Sequence, residues 1–271
     1  MKGKCVVIIP VHTASPSTYE LISFRQCFKI LHKHPVYVLA PEGLALDAYR
    51  HVVPDFLVKY INPKWQSSLL NYNKLKLSRY LYRIFKDYEC LLTYELDAFV
   101  FKDELNLWCS KDFDYIGAPW FSGYHESLSN AALDGVGNSG FSLRKIKAMD
   151  DMLKDIFYDR RTIGFTGNKN AIKTLLGYPY LKMVSFITGE NYSIQRYNEY
   201  NEDFFIGKII SHKKSGLNIA PVAEAIKFSF EMHPSVLFEW NGGKLPFGCH
   251  AWWRYNFEFW KPHIRAFGYD V

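Results

Sequence analysis

The sequence predicts an α/β protein whose centre is a doubly wound, mostly parallel sheet. Two patterns carry that expectation. Apolar, β-branched runs such as "CVVIIPV" at 5–11 are short and continuous, as strands covered on both faces must be. They alternate with stretches whose apolar residues recur at helical spacing, the arrangement that favours a parallel sheet with ligands at the carboxyl ends of its strands.

Taken in order, the run at 5–11 is the first strand. Ser17 and Glu20 then form a capping-box pattern, and Leu21, Phe24, Phe28 and Leu31 lie at helical spacing until "HKHP" ends the helix. "VYVLA" at 36–40 and "DFLVKYI" at 55–61 read as two more strands. A helix over "NKLKLSRYLYRIF", starting at Asn73, leads to the buried strand "ECLLTYE". Beyond Phe101 the pattern loosens into "DYIGAPWF", a glycine-rich "GVGNSGFSLRK", a helical "KAMDDMLKDIFY" and an aromatic tail. With no repeat, low-complexity tract or linker, the 271 residues read as a single domain, with 102–271 elaborating the sheet of 1–101.

Composition narrows the function. The chain is 48% apolar and 17% aromatic, enough for a sizeable core. Its net charge of +6 suits phosphate-bearing ligands or an anionic membrane surface, and is too small to imply nucleic acid. Five scattered cysteines without a C-x-x-C pair indicate neither a zinc site nor a disulfide framework, which fits a reducing compartment. Pro10 and His12 interrupt the N-terminal apolar run, making it too short for a signal peptide, so the expected location is the cytoplasm.

The chemistry concentrates where "TYELDAFVF" leaves the core. If that strand runs through residue 97, Glu95 and Asp97 share one face. Two carboxylates so close need a cation, and each contact is worth roughly 4 kcal/mol per charge pair at an effective dielectric of about 20. Oxygen ligands in small number suit Mg2+ or Mn2+ shared with a substrate's phosphates. Lys74, near the start of the preceding helix, is a phosphate candidate or a snorkelling surface lysine. Gly135, Gly137 and Gly140 allow close backbone approach, though the stretch is no P-loop. Glu202 and Asp203 open an apolar helix with Asn201 as its expected cap, serving as ordinary capping acids or supplying a general base. His250, among aromatics in "LPFGCHAWW", is a core histidine or a nitrogen ligand for the metal.

In this order the stretches resemble the GT-A class of nucleotide-sugar glycosyltransferases. "YELDAFVF", "DYIGAPWF", "GNSGFSLRK", "NEDFFI" and "LPFGCHAW" are similar in particular to a family of bacterial GT-A-like proteins encoded in surface-polysaccharide gene clusters. That resemblance spans 89–252 and implies a GT-A-like fold and transfer of a sugar to a hydroxyl, with inversion. It implies Asp97 and His250 as metal ligands, with Glu95 in place of the usual first aspartate, binding the metal directly, through water, or contacting the donor ribose. It places Pro10, Val11, His12 and Thr13 at the base and ribose, and Asn138, Ser139 and Gly140 along the donor sugar. Asp203 becomes the catalytic base, with Glu202 binding acceptor or orienting the site. Implied partners are a nucleotide sugar, UDP-linked by preference, a glycan or lipid-linked glycan acceptor, and peripheral contact with the inner membrane surface. Trp120 and Phe121, and more weakly Trp252 and Trp253, are candidates for stacking on acceptor sugars. A sugar nucleotidyltransferase would need a glycine-rich basic signature that "HTASPSTYE" lacks, and a silent sugar-binding module would not need both Asp203 and His250.

Overall fold

A computed structural model describes residues 3–156, 158, 171–210 and 216–271, at 171–178 by their backbone alone. In chain order its strands are β1 (Gly3–Pro10), β2 (Val36–Pro41), β3 (Leu57–Ile61), β4 (Tyr88–Tyr94), β5 (Phe99–Val100), β6 (Tyr115–Ile116), β7 (Pro119–Phe121), β8 (Leu133–Val136), β9 (Phe141–Lys145), β10 (Ser229–Phe230) and β11 (Gly248–Cys249). Six of them form the central sheet in the order β3-β2-β1-β4-β9-β6. The first four run parallel, as their continuous apolar runs predict, while β9 is antiparallel to β4 and β6 antiparallel to β9. The fold is therefore mixed α/β with a mostly parallel sheet, and segments from beyond residue 101 complete the sheet begun before it.

Alternation along β1 shows why the strand is apolar throughout. Cys5, Val7 and Ile9 enter a core on one face of the sheet with Phe24, Cys27 and Leu92, while Val6 and Ile8 enter a second core with Leu75, Leu81 and Leu91. Each fully buried aliphatic side chain of this kind contributes about 1.5–3 kcal/mol. The helix Thr18–Leu31 covers the first face and begins at the expected capping box, Ser17 and Glu20 each bonding the other's backbone N–H.

Two expectations are corrected. The helix expected from Asn73 is two helices, Leu69–Lys76 and Arg79–Ile84, because the Ser78 hydroxyl caps the second by accepting from the N–H of Leu81. The strand carrying Glu95 ends at Tyr94, where the chain turns through a bond from the Ala98 N–H to the Glu95 carbonyl. The helix in "KAMDDMLKDIFY" spans Ile146–Asp155, and Phe157 lies outside the described residues.

A small sheet, β10-β11-β5, stands on a third, largely aromatic core that includes Phe99, Phe230, Trp252 and Trp260. The five cysteines are free. Among the described residues no helix is long and apolar enough to cross a membrane.

Candidate functional site

The parallel strands end along one edge of the sheet, and a cavity of about 560 Å³ opens there. Pro10 at the end of β1, Glu95 and Asp97 just past β4, and Asn138 and Ser139 just before β9 all line it. The antiparallel sense of β9 is what brings the "GNSG" loop to the carboxyl end of β4, where the Glu95 N–H donates to the Gly140 carbonyl at 2.7 Å.

The two acids meet through the turn rather than through strand alternation, and the small sheet adds the imidazole. In that sheet Cys249 pairs with Phe99 on β5 and with Phe230 on β10. One residue further along, His250 lies level with Glu231 on the β10 side and with Ala98 on the β5 side, and its ring reaches both Asp97 and Glu231. Glu95, Asp97 and His250 place two carboxylate oxygens and a ring nitrogen within 4.8 Å of one another. His250 Nε2 lies 2.9 Å from Asp97 Oδ1 and 3.6 Å from Glu95 Oε2, yet is aligned with neither and is buried without a hydrogen-bond partner.

An orphaned imidazole nitrogen facing two carboxylates is the donor set a divalent cation requires, so these residues fit Mn2+ or Mg2+. Burial pulls the His250 pKa down, but Asp97, Glu231 and Glu95 outweigh it and hold it well above the usual value. Burial raises the Glu95 carboxyl, and Lys76, His250 and Tyr72 more than reverse this. Arg254, at the exposed rim, approaches Asp97 Oδ2 at 3.2 Å.

Two glycines of "GVGNSG" make room for neighbouring rings. A Cβ on Gly137 would fall 1.7 Å from the Trp120 ring, and one on Gly140 would fall 2.0 Å from His250 Nε2. Asn138 takes the left-handed backbone, φ 63, and its Oδ1 accepts from the Gly140 N–H.

The cationic position belongs to Lys76, not Lys74. Lys74 does not line the cavity, and its carbonyl accepts from Gln195 on the neighbouring helix. Lys76, 3% exposed, donates to Ser139 Oγ at 2.6 Å and sits 3.3 Å from Glu95 and 3.1 Å from Glu202. Tyr72 and Asn73 share its helix face, at i−4 and i−3, and Tyr72 donates to Glu95 at 2.9 Å. That polar face becomes a signal only once it is known to point at the cleft.

Glu202 is fully buried and does not line the cavity. It is paired with Arg144 of β9, and its N–H donates to Asn73 Oδ1. These partners hold the start of its helix in place, and its side chain lies behind the cavity wall. Asn201 stands at the N-cap position without a side-chain cap bond, its Oδ1 instead accepting from Asn73. Asp203 lines the cavity, and burial followed by the Glu202 charge pushes its pKa up to about 7 against the opposing pull of Lys76.

Of the expected base and ribose contacts, Pro10 and His12 line the cavity. Val11 is fully buried in the core, and Thr13 presents its carbonyl to Tyr49 instead. Gly140 lies beneath the His250 ring rather than along the lining. Trp120 and Phe121 are buried away from the cavity, Trp120 against Gly137, Tyr124 and Phe204, and Phe121 against His233 and Trp240. Their apolar rings are consumed by packing, and Trp252 is likewise core; Trp253 reaches the cavity. Sequence reasoning missed Glu231, Tyr72, Lys76 and Arg254.

Fold and site together define an α/β protein with an acid–imidazole cluster at the carboxyl ends of its parallel strands. The chain belongs to the family described as protein of unknown function (DUF5672), whose model matches residues 55–250. A comparison with curated proteins found no sequence match. Similar solved structures include the galactosyltransferase LgtC in complex with donor and acceptor sugar analogs, 12% identical over 96% of this chain and 95% of that one, with a TM-score of 0.49. The apo-form of the glycosyltransferase GlyE of Streptococcus pneumoniae is 12% identical over 92% of this chain and 54% of that one, at 0.44. A glycosyltransferase involved in glycosylation of the major capsid of PBCV-1 is 7% identical over 97% and 99%, at 0.44.

Proposed function

We propose that this protein is a metal-dependent, GT-A-like glycosyltransferase that moves a sugar from a nucleotide-sugar donor to an acceptor hydroxyl with inversion. The observation that carries the reading is the convergence of Glu95, Asp97 and His250 in a cleft whose wall also carries Asp203. The donor is a UDP-sugar by preference, and the acceptor a glycan or lipid-linked glycan of the bacterial surface. The chain acts as one unit in which 1–101 contribute mainly nucleotide contacts and 102–271 mainly catalytic and acceptor contacts.

In the single displacement proposed, Asp203 takes the proton of the acceptor hydroxyl as its oxygen attacks the anomeric carbon. The bond from that carbon to the diphosphate breaks, and its electron pair leaves with the nucleoside diphosphate. A base poised near neutral pH suits this step, which typically gains about 10²–10⁴-fold in rate. A divalent cation held by Asp97, His250 and Glu95 would supply positive charge at the leaving diphosphate. Lys76, fixed by Glu202 and Glu95, keeps a second cation beside Ser139 in the same cleft.

Attachment to the inner membrane surface is part of the reading. The helix Ala171–Thr188 contains two lysines and no acid, and exposes Tyr180, Met183, Phe186 and Ile187.

A thermal-shift screen of nucleotide sugars with and without Mn2+ tests the donor and metal together. A metal-dependent rise with one sugar nucleotide is expected, and no shift with any of them would refute the proposal. Asp203→Asn should abolish transfer while keeping that shift, and undiminished turnover would refute the base assignment.

A further inference from the structure

The imidazole of His250 has two distinct nitrogens, and the cation reading uses only Nε2. Nδ1 faces two groups at 3.0 Å, the carboxylate of Glu231 and the amide nitrogen of Asn138. The Asn138 amide cannot turn over freely, because its Oδ1 accepts from the N–H groups of Gly140 and Phe141. A neutral ring therefore has two ways to place its proton.

With the proton on Nε2, a buried N–H would have no aligned acceptor, and the Glu231 carboxylate, 7% exposed, would face a lone pair. With the proton on Nδ1, Glu231 gains a charge-assisted hydrogen bond and the Nε2 lone pair faces Asp97 and Glu95. The first arrangement leaves two buried groups unsatisfied. The second leaves only an Asn138 N–H poorly placed. An unmade buried hydrogen bond costs about 1–3 kcal/mol, so the second arrangement wins.

We infer that Glu231 is a positioning residue for the cation site: its carboxylate, accepting the Nδ1–H of His250, holds the ring so that Nε2 is presented beside Asp97 and Glu95. The small sheet is built for this, since the parallel pairing of β10 with β11 sets Glu231 level with His250 just beyond Phe230 and Cys249. A carboxylate behind a metal-binding imidazole fixes its tautomer and raises its basicity. Glu231 thus acts on the metal through His250.

The inference rests on the metal reading of the proposed function, and one measurement distinguishes failure of either. Mn2+ is titrated into the full chain at fixed pH and the free ion is read by its paramagnetic resonance signal, without any sugar. Wild-type protein should bind one Mn2+; absence of binding would overturn the metal reading itself. Glu231→Leu should weaken Mn2+ by about 10–100-fold. Glu231→Gln, which keeps an acceptor but not its charge, should weaken it less, and it serves as the test if the leucine variant does not fold. Wild-type affinity in a folded variant of either kind would overturn the inference while leaving the metal reading intact.

Discussion

Gly140→Ala is the smallest change that tests whether His250 is a metal ligand. The added Cβ would lie 2.0 Å from Nε2, 2.1 Å from Cδ2 and 2.8 Å from Cε1, in contact with the face of the ring rather than its edge. Ordinary contact begins at 3.4 Å, so the ring must withdraw by about 1.4 Å. Metal–ligand distances tolerate only about ±0.2 Å, so a ring moved that far no longer completes the set with Asp97 and Glu95. The ring cannot retreat easily, since Glu231 and Asn138 hold Nδ1 from behind. Gly140 is outside the left-handed region, so alanine adds no backbone strain there, and overpacking costs about 1–3 kcal/mol, less than the roughly 5–15 kcal/mol by which folded proteins are typically stable. Mn2+ affinity, measured by isothermal titration, should fall at least tenfold, with a circular dichroism melt confirming a folded protein. Unchanged affinity in folded Gly140→Ala would refute both the ring's placement and its role as a ligand.

Three further outcomes follow from the same geometry. Glu202→Ala removes the carboxylate paired with the fully buried Arg144, leaving it only the hydroxyls of Tyr82 and Ser142, so urea unfolding should show a loss of about 3–5 kcal/mol; a loss below about 1 kcal/mol would refute the importance of the pair. Because the Asp203 carboxyl is raised to about 7, the rate of transfer should climb as pH rises through about 7 and level off above it. The stability sign is opposite, since a raised carboxyl favours its protonated form in the folded state, so this group's contribution is present at low pH and declines between about 4 and 7. A flat rate profile from pH 6 to 8 would contradict the base assignment. Phe186→Ser with Ile187→Ser should abolish co-sedimentation with phosphatidylglycerol vesicles, given about 1.5–3 kcal/mol for each apolar side chain, and equal sedimentation would clear this helix of membrane contact.

Strand β1, the capping box at Ser17 and the acids after β4 were legible because each depends on a few consecutive residues: an apolar run, an S-x-x-E spacing, a polar pair ending a buried strand. The antiparallel entry of β9 was not, because strand direction depends on where the intervening chain travels, and "FSLRK" reads the same either way. Lys74 and Lys76 illustrate the same limit at the scale of one helix. The two side chains differ by about 200° around the axis, and choosing between them requires knowing that Tyr72 and Asn73 face the cleft. Trp120 and Phe121 were misassigned for a related reason. An aromatic pair after "GAP" suits a sugar or a core equally well, and what decides is that Gly137, sixteen or more residues away, leaves the space that Trp120 fills.

The least legible feature, and the one the chemistry depends on most, is how charge is distributed around the cleft. Lys76 and Arg144 come from a helix end and a sheet strand, Glu202 and Asp203 from a short helix beyond residue 200, and Glu95 from the turn after β4. Glu202 is committed to both cations, with Arg144 on one oxygen and Lys76 near the other. Neighbouring Asp203 therefore feels an anion at close range and a cation whose charge is already shared, and with burial this favours its neutral form near neutral pH. Removing Glu202 would relieve the anion beside Asp203 and release Lys76 toward it, lowering the base's pKa as well as loosening its helix. A pair of acids adjacent in sequence thus divides into one that sets the field and one that titrates in it, a division fixed by the partners that Glu202 has and Asp203 lacks among the described residues.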